Sequence, residues 1–465
     1  MSEERYISVK KILEITNGKL IYGDEKIICK NFSRDTGTIN IGDTYLGIKG
    51  ENFNGSKFYM EALEKGAKVC ILQDVKIDIE NVSKYKNIAI VKVNDVVLAL
   101  QQMAEYKRSL YNIPVIGITG SVGKTSTKDI LASIMSRKYK VLKTKGNFNN
   151  QIGLPLTILE LKDEDALVVE MGMGNLGEIK TLSKIAKPDV AVITNVGTSH
   201  IGNLGSRENI LKAKLEILEG LKEGGTLVIN NDNDMLNKWN LEYNKSNVIT
   251  FGIDEKSKVM AQNIIYKENS SNYDINIDGK AYNMHINIGG KHFVYNSLCA
   301  VCVGRIFDIS IDEIKKGIEN FELTKSRMEI IKKGNITIIN DCYNASLDSM
   351  KAAIEYLKAQ RGTTKIAVLG DMLELGDFSK SLHQEVGKIV AHNKIDILVT
   401  VGNEAKYIAE EAIKNGIVER NVYCYNNNLD AIEKIKNLTS DNCVILVKAS
   451  NGMNFKEIVD ALTVQ

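Results

Sequence analysis

Several things are scarce in this chain. Only three prolines stand among 465 residues, beside many Lys, Ile and Asn. That balance reflects the source genome more than a task. No apolar run approaches the roughly 20 residues of a membrane-spanning helix, so no membrane span is expected. Lys and Arg number 60 against 58 Asp and Glu, which leaves no basic footprint for nucleic acid. The opening MSEERYISVKKILEITNG is charged and lacks an apolar signal-peptide core; a cytoplasmic protein is expected. There is no internal repeat, low-complexity tract or long disordered linker. Seven cysteines are scattered, and Cys299 and Cys302 form a CxxC with no second pair to accompany it. They lie in the apolar helical stretch SLCAVCVGRIF, where small buried thiols are common and a metal or redox role is not expected.

What remains is ordinary globular material, 44% hydrophobic and 25% charged. The length calls for about two to four domains. Residues 1–107 read as a small α/β unit: a turn into a strand over 40–50, a helix, glycine stop and buried strand over 57–72, and helical spacing over 95–110. Residues 108–321 carry short apolar runs of the buried parallel type at 165–172, 188–197, 224–232 and 246–252, with helices between most of them. Residues 259–290 alternate polar and apolar, which predicts an antiparallel excursion, and a long helix follows over 294–306. From 322 to 465 a second α/β pattern predicts a third, Rossmann-like domain. The fold class expected is α/β with three domains, the central one built on a mostly parallel sheet.

Residues 117–127, GITGSVGKTST, are the most informative stretch. An apolar run stops at a glycine-rich turn and enters a polar helix start. Gly117, Gly120 and Gly123 let successive N–H groups point inward, as a phosphate requires. Lys124 adds a charge for the β/γ-phosphates and Thr125 a hydroxyl for Mg²⁺. The following helix presents its N-terminal N–H groups to the same anion. The full GxxxxGK[ST] form is not met, because its first glycine falls at Ile118. A bound nucleoside triphosphate is expected.

Other polar groups end strands of the same pattern, where α/β sheets bind ligands. Glu170 closes a buried run and reads either as a Walker-B-type Mg²⁺ carboxylate or as a solvent-facing acid. His200 follows the next strand in a Gly/Ser/Thr loop, either a surface residue or a group reaching the phosphate edge. Lys212 and Lys214 on the next helix read, by themselves, as solvated charges. His292 and Asn296, four apart, share one helix face; Asn296 either reads an adenine edge or serves as a cap or core amide. Asp341 at a strand end suits a ribose hydroxyl or a metal. LGDMLELG (369–376) places acids in a glycine-bounded loop, and VKASNGMNF (447–455) is another strand-end polar loop.

Taken together, TGSVGKTS (119–126), GNFNNQIGLP (146–155), EMGMG (170–174), TNVGTSH (194–200), AKLEI (213–217), GKHFVYN (290–296), DCYNA (341–345), GDMLELG (370–376) and VKASNGM (447–453) resemble the Mur ligases in content and order. They look most like the members that add D-alanyl-D-alanine to a UDP-N-acetylmuramoyl-tripeptide. The resemblance spans nearly the whole chain. It implies an ATP-dependent amide ligase of peptidoglycan precursor synthesis, working as a monomer through an acyl phosphate. The first domain would bind the UDP-substrate, the second ATP, and the third the incoming dipeptide.

The resemblance also implies roles. Gly120, Ser121, Gly123, Lys124, Thr125 and Ser126 would hold the ATP phosphates. Thr125 and Glu170 would hold one Mg²⁺, and His200 a second. Lys214 matches the lysine that the family carbamylates, so Lys124, His200 and Lys214 would be the catalytic set. Asn195 and Asn296 match nucleotide contacts, Arg327 an arginine near the γ-phosphate and Asp341 the ribose contact. Asn149, Asn150, Tyr343 and Asn344 fall in substrate-side segments. The sequence departs from the family at Gly37, Ser346 and Asn451. Asp35-Thr36-Gly37 stands where Asp-[Ser/Thr]-Arg is usual, Tyr343-Asn344-Ala345-Ser346-Leu347 where YNANP is usual, and Asn451 where KGSRGM has its arginine. Arginine pairs bidentately with carboxylates and phosphates, and glycine or asparagine cannot. A related amide ligase with another acceptor or amine, folylpolyglutamate-like for instance, and a nucleotide-binding protein without turnover stay open as alternatives.

Overall fold

The computed structural model describes residues 5–243 and 247–463. Residue 246, which opens the strand expected over 246–252, lies outside the described residues, as do residues 1–4 and 464–465. The α/β class and its mostly parallel sheets are as the sequence predicts.

The central sheet has nine strands. Their order is Lys280–Ile286, Ser270–Ile277, Val259–Lys267, Val248–Gly252, Thr226–Asn230, Val190–Ile193, Val115–Thr119, Ala166–Glu170 and Val141–Lys143. The last six pair in parallel. Val115–Thr119, Ala166–Glu170 and Val190–Ile193 are buried at every residue, as parallel strands covered on both faces must be. Val259–Lys267 starts parallel to its neighbour and then turns antiparallel through the two following strands. This is the excursion that polar–apolar alternation predicts. The edge strand Val141–Lys143 escapes the sequence reading because three residues carry no period.

The helix expected over 294–306 spans Lys291–Ile306, starting one turn earlier after Gly290 at φ +110°. It packs against the helix Lys124–Met135 that follows the phosphate loop. Cys299 and Cys302 are buried within it, and burial pushes both thiols up, so the CxxC is packing.

A second sheet of six strands runs Glu329–Lys333, Ile336–Asn340, Cys443–Lys448, Thr364–Gly370, Ile397–Val401, Val422–Tyr425, parallel throughout after the first antiparallel pair. A third, of five strands, lies between Lys19 and Lys92. It is preceded by a helix, Val9–Thr16, that the sequence reading did not place; Ser8 Oγ caps it by accepting from Lys11 N–H at 3.2 Å. Helix Val96–Ser109 leaves this sheet and packs on helices Gly153–Leu159 and Glu178–Ala186 of the central region. Among the described residues no helix is long and apolar enough to cross a membrane.

Topology positions the site. Ala166–Glu170, Val115–Thr119 and Val190–Ile193 are neighbours, so the phosphate loop lies between Glu170 and the Thr194–His200 loop. In the six-stranded sheet Ile336–Asn340, Cys443–Lys448 and Thr364–Gly370 are likewise neighbours, so Asp341, Lys448 and Glu374 emerge at one edge. Residues from both edges line one cavity.

Candidate active site

Two glycines shape the phosphate loop. Gly123 begins the helix Lys124–Met135 at φ +83°, and Gly120 has φ +152°. A Cβ on Gly120 would lie 1.9 Å from Thr194 Oγ1, and one on Gly123 would lie 2.8 Å from Asn296 Oδ1. Glycine is therefore required for both bend and approach. Thr194 Oγ1 donates to Val122 O at 2.6 Å, and Asn195 Oδ1 accepts from Val122 N–H at 2.9 Å. Asn195 thus braces the loop as well as facing the cavity. Lys124 Nζ folds back to donate to Gly120 O at 2.6 Å. Burial pushes its ammonium down to about 8, with Glu170 opposing and Arg327 adding to the shift.

Glu170 is 1% exposed, so the solvent-facing reading is overturned; the strand that ends in it is covered on both faces. It is the one expected site residue that sits behind the cavity wall instead of lining it. Thr125 Oγ1 lies 3.3 Å from its Oε2 and Asn149 Nδ2 3.4 Å away. Lys128 Nζ is 3.7 Å from Oε1, which is buried without a hydrogen-bond partner. An orphaned carboxylate oxygen beside a hydroxyl is a donor set that suits a hard cation. Among the described residues no three His, Cys, Asp or Glu side chains form a cage for a metal. Mg²⁺ fits that pattern, since it usually retains waters and takes further oxygens from phosphate.

Lys214 is not the solvated charge that its helix position suggests. Lys212 is exposed, whereas Lys214 is 1% exposed at the end of helix Arg207–Leu215. No carboxylate pairs with it among the described residues. Burial, helped by the Lys124 charge, holds its ammonium far below the ordinary lysine range. His200 is likewise no free surface residue. It has φ +64°, and its Nδ1 lies 2.5 Å from Glu374 Oε2.

From the other edge, Lys448 Nζ lies 2.5 Å from Asp341 Oδ2 and donates to Asn344 O at 2.9 Å. Asp341 Oδ1 accepts from Met328 N–H at 3.1 Å. The Arg327 guanidinium stacks 3.7 Å from the Tyr343 ring centre, with Nε buried and unpartnered. Asn150 Oδ1 accepts from Gly153 N–H at 2.8 Å, which leaves its amide nitrogen free for the cavity. Asn296 is buried against Gly123.

These groups surround a cavity of about 430 Å³. Apart from Glu170, every expected site residue lines it, from Gly120 through Ser126 to Asn149, Asn150, Asn195, His200, Lys214, Asn296, Arg327, Asp341, Tyr343 and Asn344. The sequence reading assigned no role to Lys448, Glu374 or His292, which line it as well. Their signal was available only as position in strand-end and helix-start loops.

Residues 118–304 match the model of the Mur ligase middle domain, and residues 326–451 that of the Mur ligase, glutamate ligase domain. The UDP-N-acetylmuramoyl-tripeptide–D-alanyl-D-alanine ligase of Bacillus subtilis (strain 168) is 39% identical over 460 residues, 98% of each chain. The chain belongs to the Mur ligase family. Members of its type are ATP-dependent ligases. A crystal structure of MurF from Acinetobacter baumannii superposes with a TM-score of 0.89 at 30% identity over 99% of both chains. MurF ligase from Thermotoga maritima, solved in complex with ADP, gives 0.80 at 29% identity over 93% of this chain and 96% of that one.

The departures from the family pattern now have places. Gly37 lies in a 3-10 turn, donating its N–H to Asp35 Oδ1 at 2.8 Å. Ser346 precedes helix Leu347–Ala359, and its N–H donates to Ser349 Oγ at 2.9 Å. Asn451 opens the short turn Asn451–Met453 beside the site.

Proposed function

We propose that this chain joins D-alanyl-D-alanine to a UDP-N-acetylmuramoyl-tripeptide with hydrolysis of ATP to ADP and phosphate, in peptidoglycan precursor synthesis. Full-length similarity to ligases of that name supports the reading. The observation that carries it is convergence: the phosphate loop, His200 and Lys214 meet Arg327, Asp341 and Lys448 from another sheet around one cavity, with Glu170 behind its wall against Thr125.

The chemistry asks for such a set. A carboxylate is a poor electrophile until ATP converts it to an acyl phosphate. An amine then attacks, and phosphate leaves through a tetrahedral intermediate. Phosphoryl transfer needs charge neutralisation and alignment more than covalent help. In this reading Gly120 to Ser126 cradle the triphosphate, and Lys124 and Arg327 neutralise its terminal charge. Asn296 and Asn195 border the nucleotide, Asp341 receives the ribose, and Asn149, Asn150, Tyr343 and Asn344 border the substrate carboxylate. Thr125 and Glu170 hold one Mg²⁺, and His200 with Lys214 a second. When bound, these ions offset the charge on the phosphate oxygens.

Lys214 is suited to carry a carbamate. Carbon dioxide adds only to a neutral amine, and a free lysine with pKa about 10.4 is almost wholly protonated at neutral pH. Burial beside Lys124 favours the neutral form. The carbamate replaces a cation repelled by its surroundings with an anion that attracts Mg²⁺.

The domain assignment is part of the proposal: residues 1–107 for the UDP-substrate, 108–321 for ATP, 322–465 for the dipeptide. A site complete within one chain supports a monomer, placed in the cytoplasm where ATP is supplied. The test is ADP release with UDP-N-acetylmuramoyl-tripeptide and a panel of D-amino-acid dipeptides. Release that requires both substrates is expected; none with any dipeptide overturns the reading.

A further inference from the structure

A second cavity of about 180 Å³ adjoins the first. Ser199, His200, Tyr343, Asn344, Ser346 and Glu374 are among the residues that border both. Its other walls are Leu373, Leu375 and the segment 450–452. Among the described residues His200 and Glu374 are its only ionisable groups apart from the Tyr343 phenol, and no lysine or arginine lines it. Glu374 is therefore a lone carboxylate at the passage between the phosphate site and a small chamber.

Its placement is held against local preference. Glu374 has φ +63° and His200, facing it, φ +64°. A non-glycine residue in this region is strained, and such residues concentrate at functional sites. The surroundings enforce the geometry. Gly202 N–H donates to Glu374 O at 3.1 Å, Leu373 N–H to Ser450 Oγ at 2.9 Å, and Ser450 N–H to Asp371 O at 3.1 Å. A Cβ on Gly202 would lie 2.6 Å from Gly376 N and 2.7 Å from Glu374 O, so the two backbones touch.

We propose that Glu374 receives the ammonium of the incoming amine, holding it in the second cavity with its nitrogen at the entrance to the first. This rests on the ligase reading above. An α-amino group has a pKa of about 8 and arrives largely as a cation. A fixed carboxylate binds it through charge-assisted hydrogen bonds, and among the described residues no lysine or arginine lines the chamber to compete for that carboxylate. The acyl phosphate forms on the other side of the same residues, so the nitrogen, once it has given up one proton to solvent, is held next to the carbon it attacks, and phosphate leaves as the C–N bond forms.

The experiment separates the two half-reactions. Hydroxylamine, a neutral nucleophile, traps the acyl phosphate as a hydroxamate with release of phosphate, and needs no ammonium site. In Glu374→Gln, the KM for D-alanyl-D-alanine should rise at least about tenfold, the worth of a hydrogen bond to a charged group, and dipeptide ligation should fall about tenfold further than hydroxamate trapping. Glu374→Asp should recover part of the KM. An unchanged KM overturns the proposal. So does an equal loss of trapping and ligation, or a raised Mg²⁺ requirement, either of which moves Glu374 into the phosphate machinery. The wild-type enzyme gives a second measure that does not depend on a variant folding. D-lactoyl-D-alanine, with hydroxyl in place of ammonium, should compete with the dipeptide at least about tenfold more weakly than a dipeptide that keeps the ammonium; equal competition overturns the proposal. Absence of wild-type hydroxamate with UDP-N-acetylmuramoyl-tripeptide would instead defeat the ligase reading.

Discussion

Lys448 and Asp341, 107 residues apart in sequence, form a buried ion pair with 2.5 Å between Nζ and Oδ2. They close adjacent parallel strands, so the sheet itself brings them together. The Lys448 ammonium also ties down Asn344 O. One lysine thereby fixes both the proposed ribose acid and the loop that carries Tyr343.

Lys448→Met should accordingly cost more than a surface substitution. It strands a buried carboxylate, a loss of about 3 kcal/mol when the partner of a buried pair is removed. Urea unfolding should show it, and ADP affinity by titration should weaken with it. A variant within about 0.5 kcal/mol of wild type, the range of ordinary surface changes, would mean that the pair holds nothing in place.

Gly202 lets the 194–202 loop touch the Glu374–Gly376 backbone. We predict that Gly202→Ala separates them, because the new Cβ would lie 2.6 Å from Gly376 N. Turnover should fall at least about tenfold, since small misplacements around a reacting centre are costly. ADP binding should change far less. X-ray scattering should report a larger radius of gyration; wild-type turnover in this variant would show that the contact is dispensable.

Lys214→Ala should lose most activity while keeping its fold. If a carbamate acts there, bicarbonate or a short carboxylate such as acetate should partly restore turnover by lending the missing anion. Full activity without additive would remove Lys214 from the site.

His292 borders the cavity and has its pKa pushed down to about 4 by burial, opposed by Asp341 and assisted by Lys448. The unfolded chain takes up a proton as pH falls through about 6.5, whereas the folded protein does not until about 4. Stability should therefore be lost as pH drops from 6.5 to 4, with no contribution above that window. The full shift corresponds to about 3 kcal/mol, reduced toward about 1 kcal/mol because the ring borders open solvent. His292→Gln should flatten this part of the curve in thermal melts at pH 4–7; an unchanged slope would assign it to other groups.

Much of the site was readable because local order carries it. The glycines at 120 and 123, the Lys124–Thr125 pair and the helix start lie within a few residues, and backbone chemistry alone points them at a phosphate. Burial was not readable. Lys212 and Lys214 are two apart on one helix, yet one is solvated and the other enclosed, because the difference is set by which face meets the loops of neighbouring strands. Glu170 left two readings open until the covered sheet showed that it has no access to solvent. Val141–Lys143 and helix Val9–Thr16 escaped because short elements depend on pairing and capping more than on period.

By itself the sequence determined the α/β class, the phosphate loop and the order of motifs that marks the family, since each is written in contiguous residues. Tertiary structure alone decided that Lys448 answers Asp341, that His200 faces Glu374, and that Glu374 stands between two cavities. Those relations join residues far apart in the chain. The first arises between adjacent strands of one sheet and the others where the edges of two sheets meet, and no local period or spacing encodes either.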